Sequence, residues 1–515
     1  MISSSTFKIT SALVLGIYLF SGTNKALAKP VHEAWQYTLT PQPTLKSVHV
    51  HLKIIGQNAD SLSLKMPVWT PGYYQIMDFA KNVYDFKATD GRGKALHWRQ
   101  HANKWTLPGA ADKQIEVDYD VKTERNFVGA SFIDQNHMFL SPAGIFLHGS
   151  NIKQPVLITI KPYPGWTKLA SGMDYLKKDT TTYTAPDFDL LYDSPILMGK
   201  LETLPAFKIK GIPHNFVGFD MGEFDRPKFM NDMKKIIESG IAVIGDIPYK
   251  HYTFLSIGPG GGGIEHLNSA AVTFKGSSLQ TPKGRLQVYS FLAHEYFHNY
   301  NVKRIRPIEL GPFDYDKENP TELLWVSEGF TVYYEYLMVH RAGLSTPNEL
   351  IDQFRANLMA YENKPGHLYQ SVTQSSFQTW RFGPSVKKED ADKTISYYDK
   401  GPILGLMLDI KIRQETKNKK SLDNVMRELY KTYYQKLERG FTPQEFRASC
   451  EKIAGVDLTE FFSYATTTEA PNYIKYFAYG GLTIDLTSGN FEIKPVLNPT
   501  PLQQKIYASI FGTIN

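Results

Sequence analysis

A His-Glu-x-x-His motif inside a segment of helical periodicity constrains this chain more than any other feature. His294 and His298 are four residues apart, and Glu295 follows the first histidine. In a helix such positions share one face, so both imidazoles can reach a zinc ion at about 2.0–2.1 Å. Glu295 lies beside that face, where it can accept a proton from water. The motif predicts a helix over Leu286–Val302 with a metal site on it; the alternative is a surface His-Glu-His cluster that binds no metal.

A third metal ligand is predicted from a second helical segment, Thr321–Val339. Glu328 lies 30 positions after His298, among aromatic and aliphatic residues that indicate burial. A buried carboxylate is costly unless it is paired or binds a metal. Zinc in a hydrolytic site takes three protein ligands and keeps one position open for water. We therefore expect His294, His298 and Glu328 to hold zinc, the alternative being an exposed glutamate on an amphipathic helix.

Four consecutive glycines, Gly260–Gly263, follow the β-rich segment Tyr252–Ile257 and precede Glu265. They do not form a phosphate loop, because no Gly-Lys-Ser/Thr sequence follows them. Glycines after a strand let another backbone approach closely, so a peptide could pair there as an added strand. Gly262 and Gly263 would then contact the substrate, and Glu265 would fix its free α-ammonium. The alternative is a flexible surface loop with a solvated glutamate.

Two other residue types near these motifs are weaker candidates. Tyr397 and Tyr398 precede a predicted helix over Pro402–Ile412. A phenol near a metal can donate a hydrogen bond to a developing oxyanion. In a chain with 31 tyrosines, however, the residues alone favour a core or surface role. His266 is expected to be structural or to support the site indirectly rather than to bind zinc.

The N-terminus, Met1–Ala28, has the pattern of a secretory signal. Lys8 gives a weakly positive start, Ile9–Phe20 is apolar, and Ala26 and Ala28 form an A-x-A cleavage site. The apolar run is about 12 residues long, whereas a membrane-spanning helix needs roughly 20. We expect cleavage after Ala28 and a bacterial periplasmic or secreted protein without an integral membrane span. The alternative is an uncleaved anchor.

The composition excludes several protein classes. Of the 515 residues, 42% are hydrophobic and 21% are charged, which is typical of globular domains rather than disordered chains. A net charge of +6 is too small, for this length, to indicate a nucleic-acid partner. The single cysteine, Cys450, excludes an intramolecular disulfide and a thiolate zinc cluster.

The pattern along the chain predicts a multidomain α+β protein. Val48–Ile54 and Ile115–Val121 alternate with period two, as strands of a β-sandwich-like domain do. From Asp225, an expected N-cap, helical spacing takes over. The predicted segments are a signal peptide (1–28), an N-terminal β-domain (29–207), a catalytic domain with the zinc motif (208–340), its helical part (341–475) and a short β-type tail (476–515). Later helices are predicted over Ser421–Leu437, Pro443–Ile453 and Leu458–Ala465.

These motifs together resemble the glycyl aminopeptidase family of gluzincin, thermolysin-like zinc metallopeptidases. The histidine motif continues into an R-I-R-P sequence at 304–307. The other matching segments are W-x-S-E-G-F-T at 325–331, G-G-I-E-H at 262–266, Y-D-K-G at 398–401 and, for the family's N-terminal β-domain, W-T-P-G-Y-Y at 69–74. The resemblance extends over roughly Pro30–Ile484.

The resemblance implies a role for each candidate residue. One zinc ion would be held by the three ligands named above, and Glu295 would act as general base and then as general acid. Tyr398 would stabilise the oxyanion, and Glu265 would anchor the substrate's amino terminus. The family fold adds a C-terminal PDZ-like domain to a β-domain and a thermolysin-like catalytic domain. Only about 30 residues follow Ile484, so we expect at most the residual start of a PDZ domain.

The predicted function is that of a zinc aminopeptidase that hydrolyses the first peptide bond of peptides. The family resemblance indicates small N-terminal residues, glycine or alanine. One alternative is an endopeptidase of the same fold, in which Glu265 has no anchoring role. Others are a secreted binding protein on a decayed peptidase scaffold and a hydrolase of the related epoxide-opening type. The decayed scaffold is disfavoured because the three ligands and Glu295 are all present.

Overall fold

The computed structural model describes residues 34–513 except 58, 112, 124–126, 177–180 and 383–387. The predicted signal segment, Met1–Ala28, lies outside the described residues. Across the described part of the chain, no helix is both long enough and apolar enough to cross a bilayer.

The first part of the structure consists mainly of β-strands in three sheets. Its strands are β1 Trp35–Gln42, β2 Ser47–Gln57, β3 Ser61–Lys65, β4 Val83–Asp90, β5 Arg99–His101, β6 Lys104–Pro108, β7 Lys113–Lys122, β8 Phe132–Ile133, β9 His137–Leu140, β10 Val156–Ile160, β11 Lys168–Ser171, β12 Asp174–Tyr175, β13 Thr182–Ala185 and β14 Ile196–Gly199, with the short helix α1 at Phe188–Tyr192. A seven-stranded sheet has the order β12-β13-β10-β1-β2-β7-β4, a four-stranded sheet β11-β14-β9-β8 and a three-stranded sheet β3-β6-β5.

The alternation predicted for two of these strands is confirmed. Strands β2 and β7 pair antiparallel, with Val50 opposite Tyr119 and Leu52 opposite Val117. All four side chains are buried in a core to which all three sheets contribute. Because successive strand residues face opposite sides, the residues between them form the outer face of the sheet.

A fourth sheet, of mixed parallel and antiparallel strands, forms the base of the catalytic region. Its strands are β15 Glu202–Thr203, β16 Phe207–Ile209, β17 Ile212–Gly218, β18 Tyr252–Ser256, β19 Gly263–Glu265 and β20 Ser269–Val272. The order is β15-β17-β18-β20-β19, with β16 also paired to β17, so β19 is an edge strand. A small core of Val128, Phe139 and Leu197 from the first part and Leu255, Ile264 and Ala271 from this sheet joins the two regions.

Helices α2, Arg226–Ile244, and α3, Pro282–Phe297, pack beside this sheet. The predicted N-cap is confirmed, since Asp225 accepts a hydrogen bond from the N–H of Lys228 over 2.9 Å. Helix α3 ends five residues earlier than predicted. The residues that follow Phe297 form tight turns, with the N–H of Tyr300 donating to the carbonyl of Phe297 over 2.9 Å. The apolar spacing therefore continued past the true helix end.

The next part is helical, as predicted. Its helices are α4 Phe330–Arg341, α5 Pro347–Glu362, α6 Val372–Phe377, α7 Thr379–Phe382, α8 Lys388–Ala391, α9 Tyr397–Glu415, α10 Leu422–Leu429, α11 Pro443–Ala454, α12 Thr459–Thr466 and α13 Tyr473–Tyr479. The π-helical turn Trp325–Gly329 leads directly into α4. A second π-helical segment, Tyr430–Lys436, directly follows α10. Helices α5 to α8 and α13 were not predicted individually from the sequence.

The C-terminal tail contains two short strands and one helix. Strands β21, Leu482–Ile484, and β22, Ile493–Pro495, pair antiparallel and agree with the β-type residues of this region. Helix α14, Pro501–Phe511, was not predicted, although Thr500 caps it with a reciprocal bond to Gln503. The apolar face of α14 is buried in the same core as the catalytic helices. The tail thus packs onto the catalytic region.

Candidate metal centre and active site

The two histidines of the motif lie one above the other at the carboxyl end of α3. His298 caps the helix, and its N–H donates to the carbonyl oxygen of His294 over 3.2 Å. The two Nε2 atoms are 2.9 Å apart. This placement follows from the i, i+4 spacing and directs two ring nitrogens to one point.

Each histidine is oriented by a hydrogen bond on its other ring nitrogen. The Nδ1 of His294 is 2.7 Å from Oε2 of Glu335, and the Nδ1 of His298 is 2.7 Å from the backbone carbonyl oxygen of Asn301. A carbonyl oxygen can only accept, so the Nδ1 of His298 carries the hydrogen and its Nε2 presents a lone pair. Outer hydrogen bonds of this kind are typical of metal-binding histidines.

Glu328 joins the two histidines from a different segment of the chain. Its Oε2 lies 3.2 Å from the Nε2 of His298 and 3.5 Å from that of His294. One ligand atom from each of the three residues lies within 4.8 Å of the others. The side chain of Glu328 is 3% exposed. Two imidazole nitrogens and one carboxylate oxygen, brought together in this way, are a donor set that fits zinc.

Asn301 connects the end of α3 to the turn that bears Glu328. Its Nδ2 donates to the carbonyl oxygens of Val326 and Ser327 over 2.8 and 3.1 Å, and lies 3.1 Å from Oγ1 of Thr331. These bonds satisfy carbonyls of the π-helical turn Trp325–Gly329. Asn301 therefore fixes the distance between the histidine pair and the glutamate.

The charges of the three residues depend on each other. Burial disfavours the carboxylate of Glu328, but His298 and His294 more than offset this effect and hold the pKa of Glu328 well below its usual value. Burial disfavours a charged His294, but its hydrogen bonds to Glu328 and Glu335 outweigh this and raise its pKa. A divalent cation bound at this site would replace the protons that these side chains carry, so metal binding releases protons.

Glu295 lies beside the histidine pair and against the glycine loop. Burial raises the pKa of Glu295 to about 7, with His294 and His298 acting in the opposite direction. A Cβ atom at Gly263 would be 2.4 Å from Oε1 of Glu295, so a larger residue there would displace this carboxylate. Among the described residues, Oε2 of Glu295 has no hydrogen-bond partner. A buried carboxylate with this pKa and one free oxygen suits proton transfer near neutral pH.

Glu265 lies on the edge strand β19, two residues after Gly263. Side chains at positions i and i+2 of a strand face the same side, so Glu265 and Glu295 border one space. Gly262 precedes the strand with a φ of +97°, a conformation that favours glycine, and a Cβ atom placed there would be 3.8 Å from Cγ2 of Val128. The glycine loop therefore lies along the active site, while the outer edge of β19 has no strand paired to it in the sheet order.

Glu265 is part of a buried ion-pair network. The Nζ of Lys303 lies 3.7 Å from Oε1 of Glu265 and donates to Oδ1 of Asp193 over 2.9 Å. Asp193 also bonds the Nδ1 of His266 at 3.1 Å and accepts from the N–H of Leu267 over 2.8 Å. Asp193 follows α1 in the β-rich part, so the network joins both parts of the molecule. His266 lies outside the group of three ligand residues.

Tyr398 lies beside the metal centre. Its ring centroid is 6.2 Å from that of His294, and the residue is 40% exposed. Tyr397 is buried, and its hydroxyl is 3.1 Å from Oγ1 of Thr379. Helix α9 begins here, before the predicted start at Pro402. Pro402 has no N–H, so it cannot donate the helical hydrogen bond to the carbonyl of Tyr398. This carbonyl accepts from Nδ2 of Asn357 over 3.3 Å instead.

A contact between two glycines places this tyrosine near Glu328. A Cβ atom at Gly329 would be 2.5 Å from Cα of Gly401, and one at Gly401 would be 2.6 Å from Cα of Gly329. Any other residue at either position would push the π-helical turn away from α9. The W-x-S-E-G and Y-D-K-G segments, far apart in sequence, therefore meet backbone to backbone.

Several residues of the site were not singled out from the sequence. Asn301 and Lys303 adjoin the histidine motif but had no role assigned. Glu335 is seven positions after Glu328, two helical turns on the same face, and this spacing was a usable signal. Asp193 comes from the β-rich part, where no local pattern marks it, and Tyr74 lies within the signature at 69–74 but had no role assigned.

Two family models match the chain. The Peptidase M61 N-terminal domain matches residues 36–200, and the M61 glycyl aminopeptidase matches residues 287–404. Together they cover more than half of the sequence. A search of curated proteins found no match.

Solved structures agree with this assignment. A crystal structure of an aminopeptidase N family protein from Idiomarina loihiensis is 27% identical, with a TM-score of 0.83 over 88% of this chain and 79% of that chain. An M1 zinc metallopeptidase from Deinococcus radiodurans is 14% identical, with a TM-score of 0.51 over 85% of this chain and 95% of its own, and shares the fold. A mutant of the latter, bound to a Tyr-Ser-Ala substrate, is 13% identical over the same shares of the two chains, with a TM-score of 0.51.

The family matches, the aminopeptidase relative and the His-His-Glu group agree with each other. The resemblance noted from the sequence is confirmed, as is the α+β architecture. The chain belongs to the M61 glycyl aminopeptidase family and is a zinc metallopeptidase of the aminopeptidase type.

Proposed function

We propose that this protein removes small residues, glycine or alanine, from the free amino terminus of peptides. The observation that supports this most directly is the position of Glu265. It is a buried carboxylate on an edge strand, next to the space in front of Glu295 and the three ligand residues. A carboxylate there can pair with an α-ammonium and set the first peptide bond at the reacting position.

The substrate backbone would bind along β19. The outer edge of this strand presents N–H and C=O groups that an extended peptide can pair with. Gly262 and Gly263 offer no side chains to obstruct that approach. The first residue of the peptide would lie between Glu265 and the metal ligands, and the leaving part would extend along the glycine loop.

Proton transfer during hydrolysis is assigned to Glu295. His294, His298 and Glu328 would hold a zinc ion, which would act as a Lewis acid on the substrate carbonyl and lower the pKa of water toward about 7. Glu295 takes the proton of the attacking water and delivers it to the leaving amine. The hydroxyl of Tyr398 donates a hydrogen bond to the oxyanion that develops on the substrate. We propose one zinc ion per chain.

The test of this function compares a glycyl peptide with its N-acetylated form. We expect the wild type to prefer the free amine strongly, because only the ammonium can pair with Glu265. Glu265→Gln should lower kcat/KM for the free peptide by about 10–150-fold, the effect of one charge-assisted bond of about 1.5–3 kcal/mol, and should change kcat/KM for the acetylated peptide little. Glu238→Gln, exposed on α2, is the matched control.

Equal cleavage of the free and acetylated peptides by the wild type would contradict the aminopeptidase proposal. It would favour the alternative of an endopeptidase that uses β19 for a continuous chain. If Glu265→Gln instead lowers both rates equally, Glu265 supports the fold of the site and does not anchor the amine.

We also propose that the protein is exported and processed after Ala28. The support for this is the short apolar run and the A-x-A sequence of the N-terminal segment. N-terminal sequencing of the protein recovered from a bacterial periplasm should begin at Lys29. A chain that retains Met1 in the membrane fraction would contradict the proposal.

A further inference from the structure

A segment of the β-rich part, Thr70–Tyr74, reaches into the active site of the catalytic region. The hydroxyl of Tyr74 donates to Oε1 of Glu328 over 3.4 Å. The distances from Glu328 to the two histidines given above are to its other oxygen, Oε2, so Tyr74 and the histidines contact different oxygens of this carboxylate.

The same segment also touches the proposed amine anchor. A Cβ atom at Gly72 would be 2.8 Å from Oε2 of Glu265 and 2.7 Å from Cγ2 of Ile264. Gly72, Tyr74 and Glu265 also line a cavity of about 740 Å³ that extends from Glu265 toward Asp193 and Lys303. After burial, Glu328 and Glu265 are the largest causes that raise the pKa of Tyr74, which agrees with a phenol lying near both carboxylates.

In the proposed binding mode, the first side chain of the substrate lies against this segment. The α-nitrogen and the carbonyl carbon of a residue are separated by two bonds, about 2.5 Å. With the ammonium at Glu265 and the carbonyl at the metal ligands, the Cα between them would lie beside the segment that contacts both carboxylates. A side chain on that Cα would then face the space that the ring of Tyr74 borders.

The ring of Tyr74 is held in place by aromatic packing. Trp69 is fully buried, donates from Nε1 to the carbonyl of Asp314 over 2.9 Å, and packs against Trp380 at 5.1 Å between ring centroids. The ring of Tyr74 packs edge-on against the same Trp380 at 5.9 Å. A larger substrate side chain could displace Tyr74 only by disturbing these contacts with the helical part.

We propose that Tyr74 is a specificity-determining residue, whose ring limits the first substrate residue to a small side chain. This inference rests on the proposed function, because it takes Glu265 as the amine anchor. It assigns the preference for glycine or alanine to a side chain of the β-rich part rather than to the zinc motif.

The test uses glycyl, alanyl, leucyl and phenylalanyl p-nitroanilides with zinc-loaded protein. Tyr74→Ala should raise the leucyl-to-glycyl ratio of kcat/KM by about 10–100-fold, the range by which pocket volume discriminates apolar side chains. Tyr74→Leu, which keeps an apolar contact with Trp380, should raise it less. Tyr74→Phe keeps the ring and should leave the ratio near that of the wild type. Tyr73→Ala is the control, since that ring packs on Phe127 instead.

A second readout does not depend on turnover. Calorimetric titration with free leucine and glycine should show tighter leucine binding to Tyr74→Ala than to the wild type, with glycine binding little changed. A leucyl-to-glycyl ratio that stays at the wild-type value in folded, zinc-loaded Tyr74→Ala and Tyr74→Leu overturns this inference alone. A wild type that cleaves acetylated peptides as well as free ones removes the proposed function, and this inference with it.

Discussion

Glu295→Gln is expected to lower kcat by about 10²–10⁴-fold while the protein keeps its zinc. Glutamine has nearly the same shape, so it fits the space against Gly263. It cannot accept a proton from water or deliver one to the leaving amine. The three ligand side chains are unchanged, so metal binding should persist, and a loss confined to kcat is the mark of a group that acts in the transition state.

The measurement is kcat and KM on a glycyl substrate, together with zinc content and melting temperature. Glu238→Gln controls for the loss of one carboxylate on a helix of the same region. A Glu295→Gln protein with more than a tenth of the wild-type kcat would show that another group transfers the proton. A protein that has also lost its zinc would show instead that Glu295 supports the metal centre.

The features of this site that depend on local spacing could be predicted from the sequence. His294 and His298 are fixed by the geometry of one helix, and Asp225 begins α2 as its capping pattern predicts. The end of α3 was not accessible in the same way. Tyr300 and Val302 are apolar because they are buried in the core after the helix has ended, and periodicity cannot separate these two causes.

The parts that depend on tertiary packing were not visible from the sequence. Asp193 looks like any acidic residue after a short helix, yet it is the buried partner of Lys303. Tyr74 lay within a recognised signature, but its approach to Glu328 follows from how the β-rich part sits on the catalytic sheet. Helix α14 is a different case, because Thr500 and Gln503 formed a readable start signal.

Glu328→Ala is expected to abolish activity by removing a zinc ligand. A structural zinc site is worth about 10–16 kcal/mol over four ligands, so one ligand accounts for about 2.5–4 kcal/mol. Zinc affinity should therefore fall by about 10²–10³-fold. Glu335→Gln alters only the hydrogen bond to Nδ1 of His294, and this variant should bind zinc about 10–100-fold more weakly than the wild type.

Zinc affinity can be measured by competition with a chelator, and its link to folding by the melting temperature. Zinc that binds only the folded chain stabilises it by mass action, so the wild-type melting temperature should rise with zinc concentration. Glu335→Gln should need more zinc for the same rise, and Glu328→Ala should show almost none at those concentrations. Two histidines at the end of one helix would then be insufficient without the carboxylate that Asn301 holds beside them. If Glu328→Ala binds zinc as tightly as the wild type, the third ligand is a different residue, and the roles assigned to Tyr74 and Tyr398 around Glu328 lose their basis.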